Sequence, residues 1–221
     1  MIKQTNTENV GIDASETVAG YQHHDGLHFE GPTCDALHNM FENLSKDILD
    51  NFKDVKYVLD VGSGAGHLRH WLLKLNPDLV IVTLDGNKET VNSPFLDLDN
   101  HFILRTDVDY ELVDENGERI IFDLICSFEH FEHIEPSSFD VFMSNLIKHS
   151  KSDTCIIASA ANWLYTKPEE RHVHCNVKTG AEWHTYLTTN FNLTKMDVKI
   201  LNKANWGGRL TSCSELIYKV N

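Results

Sequence analysis

The segment Val58–Gly66, VLDVGSGAG, constrains the fold of this chain more than any other. Gly62, Gly64 and Gly66 stand at alternate positions, after the apolar run Tyr57–Val61 and before the amphipathic stretch His67–Leu75. Glycine accepts backbone angles closed to other residues and lets a ligand come close to the main chain. A strand, a glycine turn and a helix in that order open a βα unit, and such a unit needs parallel partner strands further along the chain.

The partners follow. Leu79–Leu84, LVIVTL, reads as a second strand, Phe102–Arg105 as a third, Ile120–Ser127 as a fourth and Thr154–Ala158 as a fifth. Helices are predicted over Ser138–His149 and Ala181–Asn190, and over Thr33–Phe52. In that last stretch Leu37, Met40, Phe41, Leu44, Ile48, Leu49 and Phe52 recur at three- and four-residue spacing behind Thr33 as N-cap. Residues 87–101 carry no helical pattern. Leu193–Leu201 and Ser214–Val220 close the chain as two strands without a long helix between them, which predicts an antiparallel edge. Residues 1–32 are polar and aperiodic and read as an N-terminal arm or lid, with the domain proper over residues 33–221.

With 221 residues the chain fits one medium α/β domain that needs no disulfide or metal staple. Its five cysteines, Cys34, Cys126, Cys155, Cys175 and Cys213, are scattered and form no C-x-x-C pair. That argues for a reducing, cytoplasmic setting. No stretch approaches the roughly 20 apolar residues of a membrane span. The net charge of −14 disfavours a nucleic-acid partner, because phosphates are repelled unless a basic patch intervenes.

The loop's spacing is G-x-G-x-G, with Asp60 two residues ahead of the first glycine. A dinucleotide fingerprint has the longer G-x-G-x-x-G spacing, and an anionic Asp60 would oppose a pyrophosphate. The segment resembles motif I of the class I, Rossmann-like S-adenosylmethionine-dependent methyltransferases. The resemblance implies a seven-stranded, mostly parallel Rossmann-like sheet with helices on both faces and an antiparallel C-terminal edge. It also implies S-adenosylmethionine as cofactor, its amino-acid end held by Asp60, Gly62, Ser63, Gly64 and Gly66, with Asp60 matching the ammonium group. Asp85 ends the second strand about 20 residues past the loop, where such folds place an acid for ribose hydroxyls. The family gives it that role, with Gly86 and Asn87 beside it. Asp107 and Val108 match the family's adenine-binding position, with Asp109 as the neighbouring candidate, and Ser127 matches a cofactor position at the end of the fourth strand.

The stretch after that strand, Ser127-Phe-Glu-His-Phe-Glu-His-Ile-Glu-Pro136, carries the most chemistry. Ligands in open α/β sheets bind at the carboxyl ends of the strands, so it borders the substrate. Glu129, Glu132 and His133 would share one face of a helical turn. Two carboxylates and an imidazole suit a divalent cation, which could acidify a substrate hydroxyl. The E-x-x-E-H pattern resembles the metal sites of small-RNA terminal ribose methyltransferases and ubiquinone-pathway O-methyltransferases, which can recruit a further histidine. Here His172 and His174 are the candidates, with His174 preferred. Mg²⁺, Mn²⁺, Fe²⁺ or Zn²⁺ would be the ion. Without metal, His133 or His174 is placed to act as general base. Cys126 reads as a strand thiol and Trp183 as core. Tyr21, His23, His24, His28 and Phe29 could line a lid, and Trp163, Tyr165 and Trp206–Arg209 could wall a pocket. The expected reaction is methyl transfer to a small or medium-sized molecule bearing a hydroxyl or amine. The alternatives are RNA ribose 2'-O-methylation, another adenosyl-donor reaction such as aminopropyl transfer, and a non-catalytic cofactor-binding module.

Overall fold

The computed structural model describes residues 1–12, 31–162, 174–198, 200 and 213–221. A short N-terminal strand, β1 at Lys3–Gln4, and the helix α1, Gly31–Asn51, precede β2, Tyr57–Val61. The helix α2, His67–Leu75, leads to β3, Val80–Asp85. Then come β4 over His101–Ile103, β5 over Leu112–Val113 and β6 over Phe122–Phe128. The remainder is α3, Phe139–Lys148; β7, Ser150–Ala161; α4, Gly180–Asn190; β8, Leu193–Lys195; and β9, Cys213–Val220. Seven strands form one sheet in the order β4-β3-β2-β6-β7-β9-β8. It is parallel from β4 to β7, and β9 runs antiparallel to both β7 and β8.

Alternation along β2 divides the core. Leu59 and Val61 point to a face filled by α3 and α4, with Phe131, Phe139, Phe142 and Trp183. Val58 points to the opposite face, against Leu44 and Ile48 of α1 and Leu68 and Leu72 of α2. A parallel strand covered on both faces must be apolar on both, which is why these runs read as near-continuous hydrophobic stretches. Cys126 and Trp183 are fully buried, as their apolar settings predict.

The fold matches the expected α/β architecture, including the antiparallel edge. Three local differences stand against the expected elements. β7 starts at Ser150 rather than Thr154, because Ser150 pairs with Phe122 across an irregularity and the Thr154 hydroxyl donates to the Phe122 carbonyl. β8 ends at Lys195, well short of Leu201. A second, two-stranded sheet joins β1 to β5, too short to leave a periodic signal. Residues 87–101 do lack an α-helix; they form two 3-10 turns, Lys88–Asn92 and Leu98–Asn100, each capped by an Asx side chain. No helix among the described residues is long and apolar enough to cross a membrane.

Neighbouring residues of α3 test this arrangement. Phe142 is fully buried while Val141 is 40% exposed. Phe142→Ala is expected to cost about 3–5 kcal/mol and Val141→Ala less than about 0.5 kcal/mol, read from denaturant midpoints.

Candidate active site

The glycine loop lies at the carboxyl ends of β2 and β3. The N–H groups of Gly62 and Ser63 both donate to the Leu84 carbonyl, at 2.9 and 3.0 Å. The Asp85 carboxylate then pegs the loop: Oδ2 accepts from the Gly64 N–H and Oδ1 from the Asn87 N–H, each at 2.8 Å. Burial raises the Asp85 carboxyl, and these two hydrogen bonds oppose the rise. Gly62 has φ +74°, a region favourable to glycine, and a Cβ there would lie 2.4 Å from the His130 ring. Beside Gly64, by contrast, a Cβ would meet nothing within 4 Å.

Open space at Gly64 coincides with two orphaned buried atoms. Asp60 Oδ2 and Ser63 Oγ have no hydrogen-bond partner among the described residues. Asp60 is 3% exposed, and burial, then the charge of Asp85, push its carboxyl up to about 7. A buried acid in that state favours a cationic partner. The chemistry of this buried, half-satisfied carboxyl suits a cationic group such as the ammonium of S-adenosylmethionine. Ser127 is buried and donates to the Val61 carbonyl, so its hydroxyl ties β6 to β2 beneath the loop. The Asp107 carboxylate is held bidentately by Arg105, through Nε at 3.0 Å and Nη2 at 2.6 Å. The side chain of Asp109 is exposed and pairs with Lys148. Beneath the turn after β4, the buried Asn145 side chain donates to the carbonyls of Thr106 and Val108.

His130 has no role that its sequence position suggests, yet it joins both walls of the cleft. Its ring packs under Gly62 while Nε2 lies 2.9 Å from the Thr106 hydroxyl. Burial lowers its pKa to about 4, so the imidazole is neutral at physiological pH. The only trace in the sequence is its place inside the F-E-H-F-E-H run.

On the substrate side, β6 ends in a backbone kink. Glu129 has φ +51°, strained for a non-glycine residue, and a 3-10 turn follows at Phe131–His133. The kink places Glu129 ahead of the turn, so it does not share a helical face with Glu132 and His133. Its carboxylate accepts from the Ser159 hydroxyl at 2.6 Å and from the Cys213 thiol at 3.0 Å. Glu132, His133 and His174 come together instead, their ligand atoms all within 4.8 Å of one another. Glu132 is fully buried; Oε1 accepts from the Ala161 N–H, and Oε2 has no partner among the described residues. Burial and the nearby Glu129 push its carboxyl well up. The His133 and His174 rings lie edge to face, 4.9 Å apart. Cys175 donates to the His133 carbonyl at 3.4 Å. His172, Trp163, Tyr165, residues 206–209, and Tyr21, His23, His24, His28 and Phe29 lie outside the described residues.

The loop, Asp60 and Asp85 lie at the carboxyl ends of parallel strands, where open α/β sheets bind their ligands. A family model described as a methyltransferase domain matches residues 36–196. The chain therefore belongs to the methyltransferase-domain family and is a class I S-adenosylmethionine-dependent methyltransferase. No curated protein matches it. Solved structures share its fold at low identity. The plantazolicin methyltransferase BpumL, in complex with SAH, has TM-score 0.55 at 14% identity over 85% of this chain and 84% of that one. An S-adenosylmethionine-dependent methyltransferase from Clostridium acetobutylicum ATCC 824 has TM-score 0.58 at 14% identity, covering 82% and 92% of the two chains. Human N-acetylserotonin methyltransferase, in complex with SAM, has TM-score 0.53 at 15% identity, and this chain spans 55% of its length.

The fit of His130 under the loop is directly testable. Gly62→Ala combines a left-handed backbone with a clash against the ring. It should weaken cofactor binding at least about tenfold and cost about 1–3 kcal/mol of stability. Gly64→Ala has φ +51° but open space, so its cost in stability should be smaller. Equal losses of stability in the two variants would contradict the placement of His130.

Proposed function

We propose that the enzyme methylates a small or medium-sized molecule bearing a hydroxyl or amine, bound next to Glu132, His133 and His174. The observation that carries this reading is the buried, half-satisfied Glu132 carboxylate, grouped with two imidazoles just past β6. A buried acid with an unpaired oxygen is costly unless a ligand repays it. In this reading Asp60, Gly62, Ser63, Gly64 and Gly66 hold the amino-acid end of the cofactor. Asp85, with Gly86 and Asn87, faces the ribose, Asp107 and Val108 read the adenine, and Ser127 supports the loop from below.

S-adenosylmethionine supplies a methyl group on a positively charged sulfur, already activated for displacement. The protein's own work is positioning: it aligns the acceptor with the methyl group, where orientation alone is worth several kcal/mol. The acceptor oxygen or nitrogen forms the new bond to carbon, and the C–S electron pair stays on sulfur, leaving a neutral thioether. His133 or His174 is placed to take the acceptor's proton as a neutral imidazole. Glu132, His133 and His174 also have the donor set for Mg²⁺, Mn²⁺, Fe²⁺ or Zn²⁺. A divalent cation bound there would supply Lewis acidity toward a substrate hydroxyl. Glu129 stands apart from that set, and its bonds to Ser159 and Cys213 make it a wall of the acceptor site.

The names of the structural neighbours, plantazolicin methyltransferase and N-acetylserotonin methyltransferase, support an acceptor of modest size over long nucleic acid. The net charge of −14 supports the same choice. The absence of disulfides among the five cysteines supports a reducing, cytoplasmic location.

Transfer of labelled methyl from S-adenosylmethionine to a metabolite pool tests the reading. Glu132→Gln should lower turnover at least about 100-fold while cofactor affinity stays within about twofold. Prior chelation should reproduce the loss in the wild type if a cation is held there. Unchanged turnover in Glu132→Gln would place the acceptor elsewhere, and indifference to chelation would exclude the metal.

A further inference from the structure

The N-terminal segment does more than pair β1 with β5. Beyond β1 it runs along the carboxyl ends of β3 and β4, the rim of the cofactor cleft. Ile12 donates to the Gly86 carbonyl at 2.7 Å and accepts from the Lys88 N–H at 3.3 Å. Gly11 sits so close that a Cβ would fall 2.7 Å from the Gly86 carbonyl oxygen. Between β1 and this contact lies Asn9, only 6% exposed.

The Asn9 side chain makes the two bonds that a neighbouring strand would make. Its Oδ1 accepts from the Arg105 N–H and its Nδ2 donates to the Arg105 carbonyl, each at 2.9 Å. Its own backbone is fixed in turn, since the Asn9 N–H donates to Asn6 and Gln4 Nε2 donates to the Asn9 carbonyl. Arg105 opens the turn after β4, and its guanidinium grips both oxygens of Asp107. A carboxylate offers about four acceptor positions, so a bidentate arginine orients it without exhausting it. Asn145 holds the same turn from the core side at Thr106 and Val108. Arg105 is thus fixed at its main chain by a residue nearly a hundred positions earlier.

We infer that Asn9 is a positioning residue for recognition of the adenine base. By clamping the Arg105 main chain it aims the guanidinium, and the guanidinium sets the angle at which the Asp107 carboxylate meets the cleft. The inference rests on the reading of Asp107 as the acceptor for the adenine amino group. A carboxylate fixed in that direction accepts from a 6-amino group and repels a 6-oxo group. A site built to bond one polar substituent rejects an analogue lacking it by large factors. A carboxylate free to swing would tolerate both bases.

The experiment compares dissociation constants of S-adenosylhomocysteine and its inosine counterpart, which carries oxygen in place of the 6-amino group. The ratio of the two constants, taken on one preparation, is unaffected by the fraction of protein folded. The full-length wild type should prefer the adenine compound at least about 100-fold. Asn9→Ala should reduce that preference about tenfold or more, with the KM for S-adenosylmethionine raised and kcat little changed. Asn9→Asp keeps the bond from the Arg105 N–H and loses the one to its carbonyl, so it should fall between the two and serves if Asn9→Ala does not fold. Asp107→Asn should abolish the preference. If Asp107→Asn abolishes it while both Asn9 variants keep the wild-type ratio, Asn9 only packs the rim and the inference is overturned. If Asp107→Asn itself keeps the ratio, the adenine role of Asp107 is overturned, and the role of Asn9 with it.

Discussion

The cleft of this protein depends on one carboxylate. Asp85 takes the Gly64 N–H on one oxygen and the Asn87 N–H on the other, and so joins the glycine loop to the turn at the end of β3. The Leu84 carbonyl, one residue earlier, receives the N–H groups of Gly62 and Ser63. Adjacent residues at the end of one strand therefore fix three consecutive amides of the loop. The loop's shape in turn leaves space at Gly64, seats His130 under Gly62, and buries Asp60 without a partner for one of its oxygens.

The resulting site is acidic in an unusual degree of burial. Asp60 and Asp85 lie under the loop, and Glu129 and Glu132 lie past β6, all four raised chiefly by loss of water. Buried acids of this kind cost stability unless a cation or a donor compensates them. Asp85 is met by the Gly64 and Asn87 amides, and in the proposed reading the ammonium group of S-adenosylmethionine compensates Asp60. Glu129 is met by Ser159 and Cys213, and Glu132 keeps one oxygen without a partner among the described residues, which the proposed acceptor site would use.

Much of this was legible in the sequence because it is local. The β2–loop–α2 unit is encoded in one continuous stretch, and Asp85 follows at a fixed distance set by the length of α2 and β3. The grouping of Glu132, His133 and His174 could be anticipated because two of the three are adjacent. Glu129 was legible as an acid of the site, but not its direction, since a positive φ at a glutamate leaves no mark in composition or periodicity. His130 and Asn9 were not legible. Each acts through a contact with a distant segment, Gly62 and Thr106 for the one and Arg105 for the other. A two-residue strand such as β1 gives no periodic signal either, so the N-terminal segment read as an arm or lid without its pairing to β5.

In the proposed reading, the buried Asp60 under the glycine loop receives the charged amino-acid end of S-adenosylmethionine. Its carboxyl, raised to about 7 in the empty site, must ionise when the ammonium group binds. Affinity should therefore climb as pH rises toward that value. Titration calorimetry of the full chain at about pH 6, in two buffers of different ionisation heat, measures this directly, since Asp60 is then roughly nine-tenths protonated. One cofactor should bind per chain, with close to one proton released to the buffer, and Asp60→Asn should bind more weakly and lose that release. Absence of binding, or a heat that does not depend on the buffer, would contradict that reading.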